Sequence, residues 1–133
     1  MCCGLGCNYE DISKSLLGKT LKSVTKKLNK NDCNNDVIEF VVNDDTCYWL
    51  THSQECCENV WVEDICGDLN DLVGTPILMA EESVNYSDEK QCTWSFYRFS
   101  TIKGSVQIRF CGTSNGYYSE KVEFYKISKK NYF

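Results

Sequence analysis

Apolar and polar residues alternate along most of this chain, which is the pattern of β-strands that bury one face. Short turn sequences separate the alternating runs. Asn43-Asp44-Asp45 is one such turn, and Lys103-Gly104 is another. Links this short favour antiparallel neighbours, because parallel strands need long crossover connections. The pattern gives strand-like runs at 20–28, 37–42, 46–52, 58–65, 77–84, 92–102, 105–111 and 117–127.

Two short helices interrupt the predicted strands. Asp11 can cap a helix over 12–17 that ends at Gly18, and a second short helix is predicted at 68–73. The predicted fold class is therefore α+β, with a mostly antiparallel sheet of about seven strands and one or two short helices.

The length of 133 residues predicts a single domain over 1–133, with residues 1–9 as a loose N-terminus. A hydrophobic content of 42% is typical of a globular protein, and no apolar run is long enough to span a bilayer. The start of the chain lacks the cationic and apolar regions of a signal peptide. We therefore expect a cytoplasmic protein with no membrane partner, in which the ten cysteines are mostly reduced.

The net charge of -5 disfavours binding of long nucleic acid through its phosphates. The charge is also unevenly distributed, with six lysines in 14–30 and ten acidic residues in 55–89. Solvated faces are the simplest interpretation of this pattern. The alternative is pairing of acidic and basic surfaces between copies of the chain, which predicts a homo-oligomer.

The only two arginines of the chain lie in adjacent predicted strands of the last third. If Lys103-Gly104 is a two-residue turn, Arg98 lies directly opposite Arg109. This register gives the hairpin one core face, because that face carries Tyr97, Phe99, Thr101, Val106, Ile108 and Phe110. The opposite face carries the two arginines beside Trp94, Phe96 and Gln107.

Two like charges that face each other across strands are unfavourable by roughly 0.2–1 kcal/mol, so a compensating group is expected. Neighbouring carboxylates would supply it as internal ion pairs. A bound anion is the alternative, because guanidinium forks match phosphate oxygens two at a time. Trp94 and Phe96 could stack a base, and Gln107 lies beside them. These residues predict a small nucleotide pocket.

The loop at 112–120, with the sequence GTSNGYYSE, follows the second arginine strand. Its glycines and Asn115 allow backbone amides to turn towards an anion. Tyr117, Tyr118 and Ser119 add hydroxyl groups. The loop is predicted to close the pocket, and a plain hairpin turn with packed tyrosines is the alternative.

The only histidine, His52, precedes Cys56, Cys57 and Glu58, which together have metal-ligand chemistry. The cysteine spacing does not match that of structural zinc, so no metal is expected. A Cys–His nucleophile is conceivable, but a hydrogen-bonded structural histidine is the more common case. No catalytic motif is present, so no catalytic residue and no cofactor is predicted, and His52 is kept as a candidate ligand-binding residue.

Four carboxylates at 63, 64, 68 and 71 invite comparison with a cation site. The spacing of Asp64, Asp68 and Asp71 would line one side of a helix, but Gly67 makes an unbroken helix doubtful. The central Gly and the final Glu of a calcium loop are missing. Asp68 as a helix cap and solvent exposure explain most of this group.

The chain resembles an uncharacterised small-domain family of tailed phages and prophages over about 16–124. The resemblance is carried by the pattern HSQxCCExVxxEDIxGDL and by SNGYYSE. Further matching residues are Gly74, Pro76-Ile77, Glu81-Glu82, Lys103-Gly104 and Arg109. The cysteine-rich start, with Cys2, Cys3 and Cys7, lies outside this resemblance. The family resemblance implies the origin of the protein more than its mechanism.

Small phage proteins without catalytic motifs are often inhibitors of host defence, and one class consists of sponges that hold cyclic nucleotides or cyclic ADP-ribose signals. The resemblance thus favours a phage-encoded sponge in the host cytosol, which binds a small nucleotide signal without catalysis. The second hypothesis is an acidic protein that docks its 55–89 stretch on a basic host effector. The third is a hydrolase of the signal that uses His52.

Overall fold

The structure is a computed structural model that describes residues 8–9, 11–30, 33–55, 57–87, 92–114 and 120–127. Within these ranges it contains nine strands, one α-helix and one 3₁₀ turn. They are β1 (Asn8–Tyr9), α1 (Ile12–Leu16), β2 (Leu21–Asn29), β3 (Asn35–Val42), β4 (Cys47–Thr51), β5 (Asn59–Cys66), the 3₁₀ turn Leu69–Leu72, β6 (Met79–Ser87), β7 (Cys92–Thr101), β8 (Gly104–Thr113) and β9 (Glu123–Ile127).

The strands form two antiparallel sheets that share one core. The five-stranded sheet has the order β1-β9-β4-β3-β2, and the four-stranded sheet has the order β5-β8-β7-β6. Apolar side chains from both sheets pack in a single cluster. Phe40 of the first sheet meets Phe99 of the second, with ring centroids 5.2 Å apart. The mostly antiparallel architecture is confirmed, and the described residues are mainly β.

Local sequence signals placed several elements correctly. The Asp11 carboxylate accepts hydrogen bonds from the backbone N–H groups of Ser13 and Lys14, and thereby caps α1. Gly18 follows the helix with a φ of +78°, a conformation that glycine adopts without steric cost. The hairpin of β3 and β4 and the cap of the 3₁₀ turn by Asp68 are also confirmed.

Several predicted boundaries were wrong, and β8 runs to Thr113, through the start of the loop predicted at 112–120. Asn8 and Tyr9 are not loose, because they pair with Lys126 and Tyr125 of β9. β6 continues to Ser87, through residues predicted as a polar loop, because its whole length pairs with β7. β9 begins only at Glu123, whereas 117–127 was predicted as one strand. Backbone pairing decides these boundaries, and side-chain pattern does not reveal it.

The predicted register of the β7–β8 hairpin was also wrong. Thr101 pairs with Gly104, so the turn is formed by Ile102 and Lys103. Gly104 lies in the strand, where a Cβ atom would stand 3.0 Å from a carboxylate oxygen of Asp71. Gly104 is therefore needed because the Asp71 side chain approaches its backbone closely, and not because the chain turns at this residue. The hairpin shifts by two residues, which preserves the face on which every side chain lies.

Candidate functional site

Both arginines lie on the face of the four-stranded sheet that points away from the shared core. Arg98 pairs with Gln107, and Arg109 pairs with Phe96, so the arginines are diagonal neighbours rather than directly opposite. The predicted core face on the other side is confirmed by the burial of its six residues. The arginine face, as we call the outward side of β5, β8 and β7, carries Trp61, Asp64, Trp94, Phe96, Arg98, Gln107, Arg109 and Cys111.

Arg109 stacks on an indole ring. Its guanidinium carbon lies 5.2 Å from the centroid of Trp94, which is cation–π geometry. Its Nε atom is buried and has no hydrogen-bond partner among the described residues. An unpaired buried donor costs about 1–3 kcal/mol, so the position of Arg109 lowers the stability of the fold.

Arg98 is exposed and is oriented by its cross-strand neighbour. Its Nε–H donates to Oε1 of Gln107 over 2.9 Å. Among the described residues, no carboxylate oxygen lies within 4.0 Å of a guanidinium nitrogen of Arg98 or Arg109. The arginines are thus not neutralised by internal ion pairs in the described part of the chain, which was the competing interpretation.

Acidic side chains nevertheless border the arginine face. Asp64 pairs with Arg109 in the strand register, and a bulge in β5 between Val62 and Asp64 places Glu63 beside it. The Glu63 carboxylate accepts the indole N–H of Trp61 at 2.7 Å. On the far side, Glu81 of β6 pairs with Arg98. The face therefore offers cationic donors at its centre and carboxylate acceptors at its border.

The structure does not bring His52 to the arginine face. Its ring is buried at 3% exposure. Nδ1 lies 2.6 Å from the backbone oxygen of Lys121, and Nε2 lies 2.7 Å from Oε2 of Glu58. A carbonyl oxygen only accepts, so Nδ1 carries a proton. With both ring nitrogens occupied, His52 fits the structural interpretation, and its assignment as a ligand-binding residue is not supported.

Several predicted site residues lie outside the described ranges: Asn115, Tyr117, Tyr118 and Ser119 of the predicted closing loop, and Cys56 beside the histidine. Within the described ranges, no group of three or more His, Cys, Asp or Glu side chains is arranged to hold a metal ion.

The acidic stretch does not form one surface in the described part of the chain. Glu58 is buried against His52, and Asp68 caps the 3₁₀ turn, whereas Glu63 lies beside Trp61 on the arginine face. Asp64 belongs to β5, so Asp64, Asp68 and Asp71 do not line one side of a helix. A docking surface made of the whole 55–89 stretch is not supported.

Sequence reasoning missed Trp61 as a member of the site. In the register, Cys111 lies between Trp94 on β7 and Trp61 on β5. The alternation of Trp61 with buried Val60 signals that Trp61 faces outward from β5. The sequence alone does not reveal that β5 pairs with β8, so the link to the arginines could not be inferred.

The alkylation rate of Cys111 reports on how tightly the arginine face is packed. Burial, with the adjacent Cys92 thiol, raises the pKa of Cys111 to about 11. A protonated thiol is a poor nucleophile, so at pH 8 we expect iodoacetamide to alkylate Cys111 at least about tenfold more slowly than exposed Cys33. Peptide mapping by mass spectrometry over time measures both rates. In urea the rates should converge, and equal rates in the folded protein would contradict the described packing.

The fold and the candidate site together define a small antiparallel two-sheet domain with an aromatic and cationic outward face. By sequence, residues 14–124 match the model of a domain of unknown function, DUF7448, so the chain belongs to this family. No curated protein and no solved structure matches the chain. None of the described helices has both the length and the apolar character required to cross a membrane.

Proposed function

We propose that this protein is a non-catalytic binding protein that holds a small nucleotide on the arginine face. The observation that carries the proposal is the Arg109 guanidinium, which stacks on Trp94 while its buried Nε atom lacks a partner among the described residues. Arg98 supplies a second cation on the same face.

An anionic group satisfies both arginines better than a neutral one. The guanidinium group presents donors in a planar fork that matches two phosphate oxygens, and such charge-assisted hydrogen bonds are stronger than neutral ones. A phosphate over the diagonal pair would accept hydrogen bonds from the guanidinium groups of Arg98 and Arg109. It would also offset the repulsion between two neighbouring cations.

The flanking groups favour a nucleotide over inorganic phosphate. Trp61, Trp94 and Phe96 offer ring surfaces, and stacking of a base on such a ring contributes about 1–3 kcal/mol in single-stranded nucleic-acid sites. The carboxylates of Asp64 and Glu81 can accept hydrogen bonds from ribose hydroxyls. The same carboxylates repel additional phosphates, so a long nucleic acid is disfavoured.

The resemblance to a phage family favours, as the ligand, a nucleotide signal of host defence, such as a cyclic nucleotide or cyclic ADP-ribose. In this proposal the protein acts as a sponge in the host cytosol, and its copies pair as a homo-oligomer. A hydrolase is disfavoured, because His52 is buried with both ring nitrogens bonded.

Isothermal titration calorimetry of the full chain tests the proposal. The panel consists of cyclic mononucleotides, cyclic dinucleotides, ADP-ribose and cyclic ADP-ribose. We expect at least one saturable isotherm that Arg98→Ala weakens by roughly 10-fold or more, given about 1.5–3 kcal/mol for hydrogen bonds to charged groups. Lys22→Ala is the matched control, since Lys22 is an exposed cation of the other sheet that pairs with Asp45.

Flat traces for the whole panel would reject the nucleotide proposal. An isotherm that Arg98→Ala and Lys22→Ala weaken equally would place the ligand elsewhere. Recovery of the bound nucleotide after denaturation, followed by mass spectrometry, separates the sponge from the hydrolase. Intact ligand supports the sponge, whereas a cleaved product would overturn the non-catalytic assignment.

A further inference from the structure

Strand β6 forms one edge of the four-stranded sheet, since it pairs only with β7 among the described strands. Its side chains Val84 and Tyr86 are 56% and 61% exposed. An edge strand with exposed apolar side chains presents unpaired backbone groups to which another extended chain can add. This edge lies on a different part of the domain from the arginine face of β5, β8 and β7.

The direction of the unpaired backbone groups follows from one hydrogen bond. The Ser13 hydroxyl donates to the backbone oxygen of Ala80 at 2.6 Å, so the Ala80 carbonyl points away from β7. In an antiparallel ladder every second residue points its N–H and C=O the same way. The backbone groups of Glu82, Val84 and Tyr86 therefore point outward. At Ala80 the edge is already occupied, because Ser13 of α1 bonds its carbonyl.

A groove runs beside this edge, between β6 and the segment that leads into β9. It consists of two adjoining cavities of about 440 and 220 Å³ that share Glu82, Lys121 and Val122. The side chains of Glu82 and Val84 line it. An added strand would thus lie along the edge and direct alternate side chains into the groove.

The groove is acidic. The larger cavity is lined by Asp11, Glu82 and Glu123 against a single lysine, Lys121, and Glu120 lines the smaller cavity. The carboxylate of Glu82 accepts the hydroxyl of Tyr97 at 2.7 Å. Burial raises the pKa of that hydroxyl, and the nearby carboxylates of Glu82 and Glu123 raise it further. Tyr97 therefore adds no negative charge to the groove and donates its proton to Glu82.

We propose that the β6 edge and this groove bind an extended basic segment of a partner protein, which pairs with Glu82, Val84 and Tyr86 as an added strand. Lysine or arginine at alternate positions of the segment would enter the acidic groove. A second copy of the same edge is disfavoured as the occupant, because two β6 strands would bring their own carboxylates together.

A fluorescein-labelled heptapeptide of alternating lysine and valine tests this proposal by fluorescence anisotropy with the full chain. We expect saturable, salt-sensitive binding, and none of the corresponding glutamate–valine peptide. Val84→Pro removes one outward N–H group, and proline is tolerated where an edge N–H faces solvent. This variant should weaken binding at least about tenfold, since the pairing hydrogen bond is lost and the ring obstructs the added strand.

Charge and location are tested separately. The double variant Glu82→Gln with Glu123→Gln should weaken binding several-fold, whereas Glu63→Gln on the arginine face should leave it unchanged. Arg98→Ala should also leave it unchanged, which separates this surface from the nucleotide site. If Val84→Pro does not fold, amide chemical-shift changes in the unmodified chain replace it, and they should centre on Glu82, Val84 and Tyr86.

Three outcomes would overturn the proposal. The first is absence of binding by the lysine–valine peptide, and the second is a shift map that centres away from β6. The third is a dimer in sedimentation equilibrium that Val84→Pro dissociates, because it would show that the edge pairs with a second copy.

Discussion

Replacing His52 with alanine is expected to lower the free energy of unfolding by roughly 3–5 kcal/mol, the range for breaking a buried ion-paired or hydrogen-bonded partnership. The substitution leaves the Glu58 carboxylate buried and deprived of its 2.7 Å contact with Nε2. It also leaves the backbone oxygen of Lys121 without the Nδ1–H donor. Urea denaturation followed by circular dichroism measures the change, and the m-value should stay constant if only stability changes.

A double-mutant cycle isolates the partnership. Glu58 also accepts a hydrogen bond from the backbone N–H of Glu55, which donates to Oε2 at 2.8 Å. Glu58→Gln in the His52→Ala background should restore part of the lost stability, because a neutral amide costs less to bury without the His52 partner than a carboxylate does. Additive losses would show that His52 and Glu58 are not energetically coupled. The exposed variant Lys22→Ala should change stability by less than about 1 kcal/mol.

The β7–β8 hairpin shows what the sequence can and cannot specify. Alternation of apolar and polar residues determined which face each side chain lies on, so both arginines were assigned correctly to one face. A register shift by two residues leaves every face unchanged, and the hydrophobic pattern therefore cannot detect it. The shift is set by long-range contacts: the hydroxyl of Thr101 donates to the backbone oxygen of Asp71, whose side chain lies against Gly104.

The candidate site was predictable only within one hairpin. Trp94, Phe96 and Gln107 could be placed beside the arginines because a short turn joins their strands. Trp61 could not, since its strand is separated from β8 by the whole of β6 and β7 in sequence. His52 shows the opposite error. Its chemistry attracted a functional interpretation, and only the tertiary contacts with Glu58 and Lys121 reveal a buried structural role.

Replacing Arg109 with methionine is expected to weaken nucleotide binding by about 10–100-fold while the fold becomes more stable by roughly 1 kcal/mol. The affinity falls because the guanidinium supplies the charge-assisted hydrogen bonds proposed for the phosphate. The stability rises because the buried, unpartnered Nε atom disappears, a relief of about 1–3 kcal/mol. The lost cation–π contact is worth only about 0.5–1 kcal/mol, and a thioether on Trp94 replaces part of it.

Opposite changes in affinity and stability distinguish a ligand-binding arginine from a structural one. Thermal unfolding and calorimetric titration of the same Arg109→Met sample, with the nucleotide that the panel identifies, measure both. Arg98→Met is the matched control: Arg98 is exposed, so its loss should reduce affinity with a stability change within about 0.5 kcal/mol. If Arg109→Met instead lowered stability and left affinity intact, the guanidinium would serve the packing of the sheet. A residue that lowers the stability of the fold but raises the affinity for a bound anion is the physical signature of a binding site.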